Sequence, residues 1–173
     1  MPYAGYELKS KEAAPWANAI GSVLVNFGTL ELLTYVWIER LSQSRVLFNT
    51  ALDMQFARRC RLTIELIQER ASDRKSKTEA TRAWRKAETL AAFRNWIAHN
   101  PLVFGWKGQE RDAPPDFVGV LNFKRMRRRN GKPRLIPYTS VSKIRDFNEE
   151  VVAVAKELSD LLTKFQSRQE GDT

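Results

Sequence analysis

The sequence predicts a mainly α-helical fold, a four-helix bundle with a small antiparallel β insertion before the last helix. Two observations predict the helices. Apolar residues recur at alternating spacings of three and four along residues 16–41, and again along residues 144–165, which is the period of one face of an α-helix. A third observation predicts the insertion, because Asn130-Gly131 is a strong signal for a type I′ β-hairpin.

The length of 173 residues and the hydrophobic fraction of 43% fit one globular domain with a sizeable core. We predict a flexible N-terminal arm over residues 1–12 and one helical domain over residues 13–165. The β insertion should occupy about residues 102–138, and residues 166–173 should form a frayed tail.

The first helix is predicted to begin near Ala13 or Ala14. Its apolar face should consist of Trp16, Ile20, Val23, Phe27, Leu30, Thr34, Trp37 and Leu41. Gly21 and Gly28 lie seven residues apart on a neighbouring strip. Because glycine costs about 1 kcal/mol inside a helix, we expect another backbone to pack closely there. Glu31 lies beside the apolar face, and the sequence leaves open whether it pairs with an arginine of another helix or points to water.

The second helix is predicted over residues 50–71 with Asn49 as its N-cap, and Arg58, Arg59 and Arg61 are expected on a basic surface. The third helix should run from Ser76 or Lys77 to His99, since Pro101 disfavours helical geometry at the preceding residue. Short β segments are expected at residues 102–107, 117–126 and 135–136. The last helix should begin near Thr139 or Ser140 and bury Ile144, Phe147, Val151, Val154, Leu158, Leu161 and Phe165.

The chain carries a net charge of +9, which indicates a partner such as nucleic acid or an anionic membrane. A solvated, self-repelling surface explains the charge equally well. The predicted hairpin concentrates seven cations without an acid, namely Lys124, Arg125, Arg127, Arg128, Arg129, Lys132 and Arg134. A hairpin with this charge suits sequence-independent contact with the phosphates of a nucleic acid. The alternative is a strand edge protected from aggregation by charge, which needs fewer cations.

The scarcity of cysteine and histidine limits the chemistry. With one cysteine, Cys60, and one histidine, His99, the chain can form neither an intramolecular disulfide nor a structural zinc site alone. We therefore predict no metal and no cofactor. The N-terminus does not resemble a signal peptide. Polar and charged residues interrupt the apolar stretch at residues 16–41, which predicts a buried helix, no membrane association and a cytoplasmic protein.

The segment Arg94-Asn95-Trp96-Ile97-Ala98-His99 carries the residues best suited to catalysis. Asn95 and His99 are four residues apart and therefore neighbours on one helix face. Arg94 lies about 140° from His99 in ideal geometry, which a long side chain or a frayed last turn can bridge. Histidine transfers protons near neutral pH, and arginine offers a planar fork that matches a phosphate. The residue types suit acid–base chemistry on a phosphodiester, although a single histidine at a helix end is more often a packing or capping residue.

This segment resembles the signature of the HEPN superfamily, in which an arginine, commonly followed by a polar residue, precedes a histidine by four to six residues. Here four residues intervene and Asn95 is the polar residue. The likeness is sharp over some ten residues and architectural over residues 13–165. HEPN domains are bundles of about four helices with this motif on a late helix, and the β insertion is an addition to that plan.

The resemblance implies a metal-independent endoribonuclease that leaves a 2′,3′-cyclic phosphate, with its active site at a homodimer interface. His99 would be the general acid or base, Arg94 would stabilise the scissile phosphate and Asn95 would orient it. Such proteins act as toxins, as antiviral effectors or in RNA processing, which makes a cognate antitoxin or a neighbouring nucleotidyltransferase an expected partner. Other members only bind RNA or nucleotides, or serve as structural dimers, and both alternatives stay open.

Overall fold

The computed structural model describes residues 10–71, 73–99, 102–105, 117–122, 134–138 and 140–170, with side chains for residues 14–71, 73–99 and 140–165. Five helices lie in the described part of the chain, so the prediction of a mainly α-helical protein is confirmed. The elements in chain order are α1 (Ser10–Ser42), α2 (Arg45–Leu52), α3 (Phe56–Arg70), α4 (Arg74–His99), β1 (Leu102–Gly105), β2 (Phe117–Asn122), β3 (Arg134–Tyr138) and α5 (Val141–Glu170).

The chain divides into two compact units. One unit comprises residues 1–23 and 96–148, and the other comprises residues 24–95 and 149–173. In the first unit the strand order is β1-β2-β3. Both neighbouring pairs are antiparallel, with Leu102 opposite Val120 and Asn122 opposite Arg134. The predicted turn at Asn130-Gly131 lies outside the described residues. Ala19, Val23, Ile97, Ile144 and Phe147 are buried in the part of this unit that the structure describes.

The second unit has an aromatic core. Trp37 and Trp84 are fully buried and meet edge to face, with ring centroids 6.1 Å apart. Phe165 approaches Trp37 at 5.2 Å, and Phe27 contacts Phe56 at 5.0 Å. Edge-to-face pairs of this kind stabilise by about 0.5–1.5 kcal/mol beyond the burial of their area. The residues predicted for the apolar face of α1 are buried from Val23 to Leu41, as are those of α5 from Ile144 to Leu161.

The predicted second helix is wrong in its start, because the segment forms two helices. Ser44, and not Asn49, is the N-cap of α2, and its side chain accepts a hydrogen bond of 3.3 Å from the backbone N–H of Leu47. The helix stops at Leu52, and α3 begins at Phe56. Arg59 of α3 satisfies a backbone carbonyl between the two helices, since its Nη1 donates to the carbonyl oxygen of Met54. The described part of the chain therefore contains one more short helix than predicted.

Three other helix boundaries also differ from the predictions. Helix α4 begins at Arg74 because Asp73 caps it, accepting a hydrogen bond of 2.9 Å from the backbone N–H of Ser76. Its end at His99 agrees with the prediction. Helix α5 continues to Glu170, beyond the predicted end of the domain at Phe165. At the N-terminus, α1 already begins at Ser10, inside the predicted arm.

Candidate functional site

Helix α4 carries all three predicted catalytic residues, Arg94, Asn95 and His99. Its apolar positions direct it into the core, with Ala87, Leu90 and Ala91 buried. Arg94 therefore follows the buried face and is itself half-buried, whereas Asn95 is exposed. These two residues belong to the second compact unit.

Arg94 is held by three groups. Its Nη2 donates to Glu31 Oε1 of α1 at 2.8 Å, and its Nη1 donates to Asn95 Oδ1 at 3.0 Å. The guanidinium carbon lies 5.1 Å from the centroid of the Phe27 ring, within the range of a cation–π contact. The structure thus brings Arg94, Asn95 and Glu31 into one hydrogen-bonded group, and of the two interpretations of Glu31 the pairing with an arginine is confirmed.

The hydrogen bonds of Arg94 do not use all the donors of its guanidinium. Its Nε is buried and has no hydrogen-bond partner among the described residues. A buried donor without a partner costs about 1–3 kcal/mol. The side chains of Arg94 and Glu31 are 25% and 32% exposed, so solvent reaches the ion pair. A guanidinium has five N–H groups, of which the bonds to Glu31 and Asn95 use two. Arg94 is therefore oriented by the protein and has donors beyond those two bonds.

His99 is the last residue of α4 and is exposed. It belongs to the first compact unit. An exposed imidazole at a helix terminus is accessible to a large substrate such as RNA. Its position at the helix end is the one that Pro101 predicts.

Most of the predicted RNA-binding cations lie outside the described residues, namely Lys124, Arg125, Arg127, Arg128, Arg129 and Lys132. Arg134 begins β3, where its backbone is opposite Asn122. Of the three arginines expected on a basic surface of α3, Arg58 and Arg61 are exposed. Arg61 forms an ion pair with Glu88 at 2.9 Å.

The expectation for Arg59 is wrong, because its side chain is buried. Its Nε donates to Thr34 Oγ1 at 2.9 Å, and its guanidinium carbon lies 4.4 Å from the centroid of the Tyr35 ring. The helical period places residue 59 on the same face as Phe56 and Thr63. This spacing indicates burial, but the prediction gave more weight to the charge of Arg59. Arg59 is therefore a packing residue that joins α3 to α1.

The thiol of Cys60 is also buried. Burial raises the pKa of Cys60 to about 12, and the charge of Glu88 adds to the rise while Arg59 opposes it. A thiol that stays protonated is a poor nucleophile and a poor metal ligand. Among the described residues, no group of three or more histidine, cysteine, aspartate or glutamate side chains could hold a metal ion.

Helix α1 is long and apolar. By length and composition alone, its segment Ala14–Ser42 could cross a membrane. Core helices of soluble proteins share this length and composition.

Comparison with known proteins adds no relative, since no protein-family model, no curated protein and no solved structure matches the chain. The resemblance to HEPN proteins therefore rests on the residues from Arg94 to His99 and on the helical architecture. It stays a prediction.

Proposed function

We propose that this protein is a metal-independent endoribonuclease of HEPN type, with a β-hairpin that presents its basic segment to RNA. The observation that carries the proposal is the oriented Arg94–Asn95 pair, followed on the same helix by an exposed His99 at the C-terminus. This set combines a fixed cation, an amide and an accessible imidazole.

In the proposed reaction the 2′-oxygen of RNA forms a bond to phosphorus while the bond from phosphorus to the 5′-oxygen breaks. The products are a 2′,3′-cyclic phosphate and a 5′-hydroxyl end. A base must take the proton of the 2′-hydroxyl, and an acid must give a proton to the leaving oxygen. His99 serves one of these roles, and Arg94 stabilises the charge that develops on the phosphoryl oxygens. Because Asn95 Oδ1 accepts from Arg94, the amide nitrogen of Asn95 is the group that donates to a phosphate oxygen.

A single imidazole in each chain points to a homodimer, in which His99 of a second copy takes the other proton-transfer role. The seven cations at residues 124–134 would bind RNA phosphates without sequence preference. In a cell such an enzyme would serve as a toxin or a defence effector, with a cognate antitoxin or a neighbouring nucleotidyltransferase as its regulator.

The test is RNA cleavage by the purified protein in EDTA, with the cyclic phosphate detected by mass spectrometry. We expect cleavage to persist in EDTA and to fall by about a hundredfold or more in His99→Ala and in Arg94→Ala. Arg82→Ala is the matched control, since Arg82 lies on the same helix and forms an ion pair with Glu157. Its activity should equal that of the wild type. Cleavage that is unchanged in His99→Ala would exclude His99 as the catalytic group.

A second candidate function is a non-catalytic RNA-binding or structural protein of the same fold. The observation in its favour is that Glu31 and Phe27 of the same chain already engage Arg94, as expected of a purely structural arginine. This alternative predicts no cleavage in any buffer, RNA binding that is lost when the basic segment is changed to serine, and an Arg94→Ala variant that is only less stable.

A further inference from the structure

The exposed side of α1 carries no charge over most of its length. Between Ala14 and Ile38 the exposed residues are Ala14, Pro15, Ala17, Asn18, Ser22, Leu24, Val25, Gly28, Thr29 and Leu32. The one charged residue in this span, Glu31, is half-buried and paired with Arg94. By contrast, the exposed positions of α4 include Arg74, Lys75, Arg82, Arg85 and Lys86. A charge-free helix surface is unusual in a chain of which 28% is charged.

Three exposed residues and the half-buried Gly21 form a continuous line along the helix, and we name Gly21, Val25, Gly28 and Leu32 the α1 stripe. Val25 is 73% exposed and Leu32 is 61% exposed. A Cβ atom added at either glycine would have no neighbour within 4 Å. Within the part of the chain that the structure describes, no backbone packs closely against the two glycines as expected, and nothing there offsets their cost to the helix.

The α1 stripe is complementary to itself. Its spacings of four, three and four are those of a helix–helix seam, and small and large residues alternate along it. When two copies cross antiparallel about a two-fold axis between Val25 and Gly28, Val25 faces Gly28 of the second copy and Leu32 faces Gly21. Each large residue thereby enters a gap, as an isologous interface requires. A parallel crossing would instead set Val25 against Val25 and leave the glycines facing each other.

Charge also favours a second copy. Two chains of +9 repel each other wherever their cations meet, and the α1 stripe offers a surface that is free of this repulsion. A membrane fits less well, because helices that lie in a membrane surface present basic and large apolar side chains. The exposed side of α1 from Ala14 to Ile38 presents the apolar residues Leu24, Val25 and Leu32 without any basic residue beside them, and Phe27 and Trp37 are buried.

We propose that the α1 stripe is a homodimer interface in which two copies of α1 pack antiparallel, with Val25 of each copy against Gly28 of the other. A second copy of the chain is also what the proposed function needs. The interface is inferred from α1 alone, and it holds whether or not the protein cleaves RNA.

The first test is sedimentation velocity without RNA over a concentration series from about 1 to about 200 µM, a range suited to a small interface. We expect a monomer–dimer equilibrium in the wild type and a dissociation constant raised roughly a hundredfold in Val25→Glu, because each dimer would bury two unpaired carboxylates. Val46→Glu is the matched control, since Val46 is 77% exposed on α2. A monomeric wild type, or equal dimerisation of Val25→Glu and wild type, would overturn the proposal.

The second test measures the register. Two differently tagged variants, Val25→Cys and Gly28→Cys, are mixed and oxidised. We expect the mixed disulfide to dominate, whereas a parallel dimer would give disulfides between identical variants. The native Cys60 is buried and should not interfere. Flotation with anionic phosphatidylserine vesicles tests the remaining partner, and vesicle binding that Val25→Glu abolishes, without a dimer in solution, would contradict the proposal. Loss of dimerisation and loss of RNA cleavage are separate readouts, so either hypothesis can fail alone.

Discussion

At the residue scale, the ion pair between Arg94 and Glu31 determines how the candidate site is built. It joins two helices at 2.8 Å with both partners more than two-thirds shielded from solvent. Exposed ion pairs contribute about 0–1 kcal/mol, whereas a shielded pair with further hydrogen bonds contributes more. Arg94 therefore contributes to the stability of the fold in addition to its proposed catalytic role.

A double-mutant cycle of Arg94→Ala and Glu31→Gln measures how much the ion pair contributes to stability. We expect each single change to lower the free energy of unfolding by roughly 1–2 kcal/mol and the coupling energy to be about 1 kcal/mol. The control cycle uses Arg82 and Glu157, whose side chains are 74% and 37% exposed, and its coupling should be below about 0.5 kcal/mol. Urea unfolding provides the energies. Equal coupling in both cycles would mean that the Arg94 pair is an ordinary surface pair.

The buried thiol of Cys60 gives a prediction about alkaline pH. Its pKa rises from 9.0 to about 12 in the folded chain, so the folded state holds its proton more tightly than the unfolded state does. The contribution of the protonated Cys60 thiol to the free energy of unfolding is fully present below pH 9.0 and is lost as the pH rises toward 12. Urea unfolding between pH 8 and pH 11 should therefore show a smaller alkaline loss of stability in Cys60→Ala than in the wild type. Equal losses in the two proteins would contradict the assignment.

At the element scale, the boundary between α1 and α2 tests the corrected helix start. Ser44→Ala removes the side-chain cap of α2 and should cost about 1 kcal/mol. Asn49→Ala is the matched control, because Asn49 is exposed inside α2, and its effect should stay within about 0.5 kcal/mol. The free energies of unfolding of both variants come from thermal or urea unfolding. The reverse order of the two effects would restore Asn49 as the cap.

The helices were predictable from the sequence to the extent that burial follows the helical period. The apolar faces of α1 and α5 were predictable because long helices repeat the pattern over many turns. The short helix α2 was not predictable, because it is too short to repeat an apolar pattern. The cap at Ser44 is only a local signal. The burial of Arg59 was missed because a charged residue is usually exposed. Its partners Thr34, Tyr35 and Met54 offset the cost of burying the charge, but they are distant in sequence or form no recognisable motif with it.

The candidate site was predictable in part. The sequence motif identified Arg94, Asn95 and His99, and the helix end at His99 agrees with Pro101. The pairing of Arg94 with Glu31 was one of two open interpretations, because a sequence does not tell which helices are neighbours. The buried Nε of Arg94 and the contact with Phe27 depend on tertiary packing and carry no sequence signal.

At the scale of the whole molecule, charge is distributed unevenly. The exposed side of α1 is uncharged between Ala14 and Ile38, whereas the exposed positions of α3, α4 and α5 carry many charges, and residues 124–134 add seven cations. The uncharged side of α1 is the surface proposed for a second copy, and the basic residues 124–134 are the segment proposed for RNA.

RNA binding should therefore depend strongly on salt. For single-stranded RNA we expect the logarithm of the affinity to fall linearly with the logarithm of salt concentration, with a slope of about 0.7 for each phosphate contact. Changing Arg127, Arg128 and Arg129 to serine should reduce this slope by roughly two units, as measured by fluorescence anisotropy. The matched control changes the exposed Lys75, Lys143 and Lys156 to serine, which should leave the slope nearly unchanged. Equal reductions would assign RNA binding to general charge.

The bond between Arg94 and Glu31 links positions that are 63 residues apart in the sequence, and this separation has a consequence for folding. The orientation of Arg94 is a property of tertiary structure, because helix α4 alone holds the motif without Glu31 or Phe27. Closing so long a loop is slow compared with forming a helix. A growing or partly folded chain can therefore contain helical α4 well before the guanidinium is fixed, so the candidate site matures only when α1 has docked.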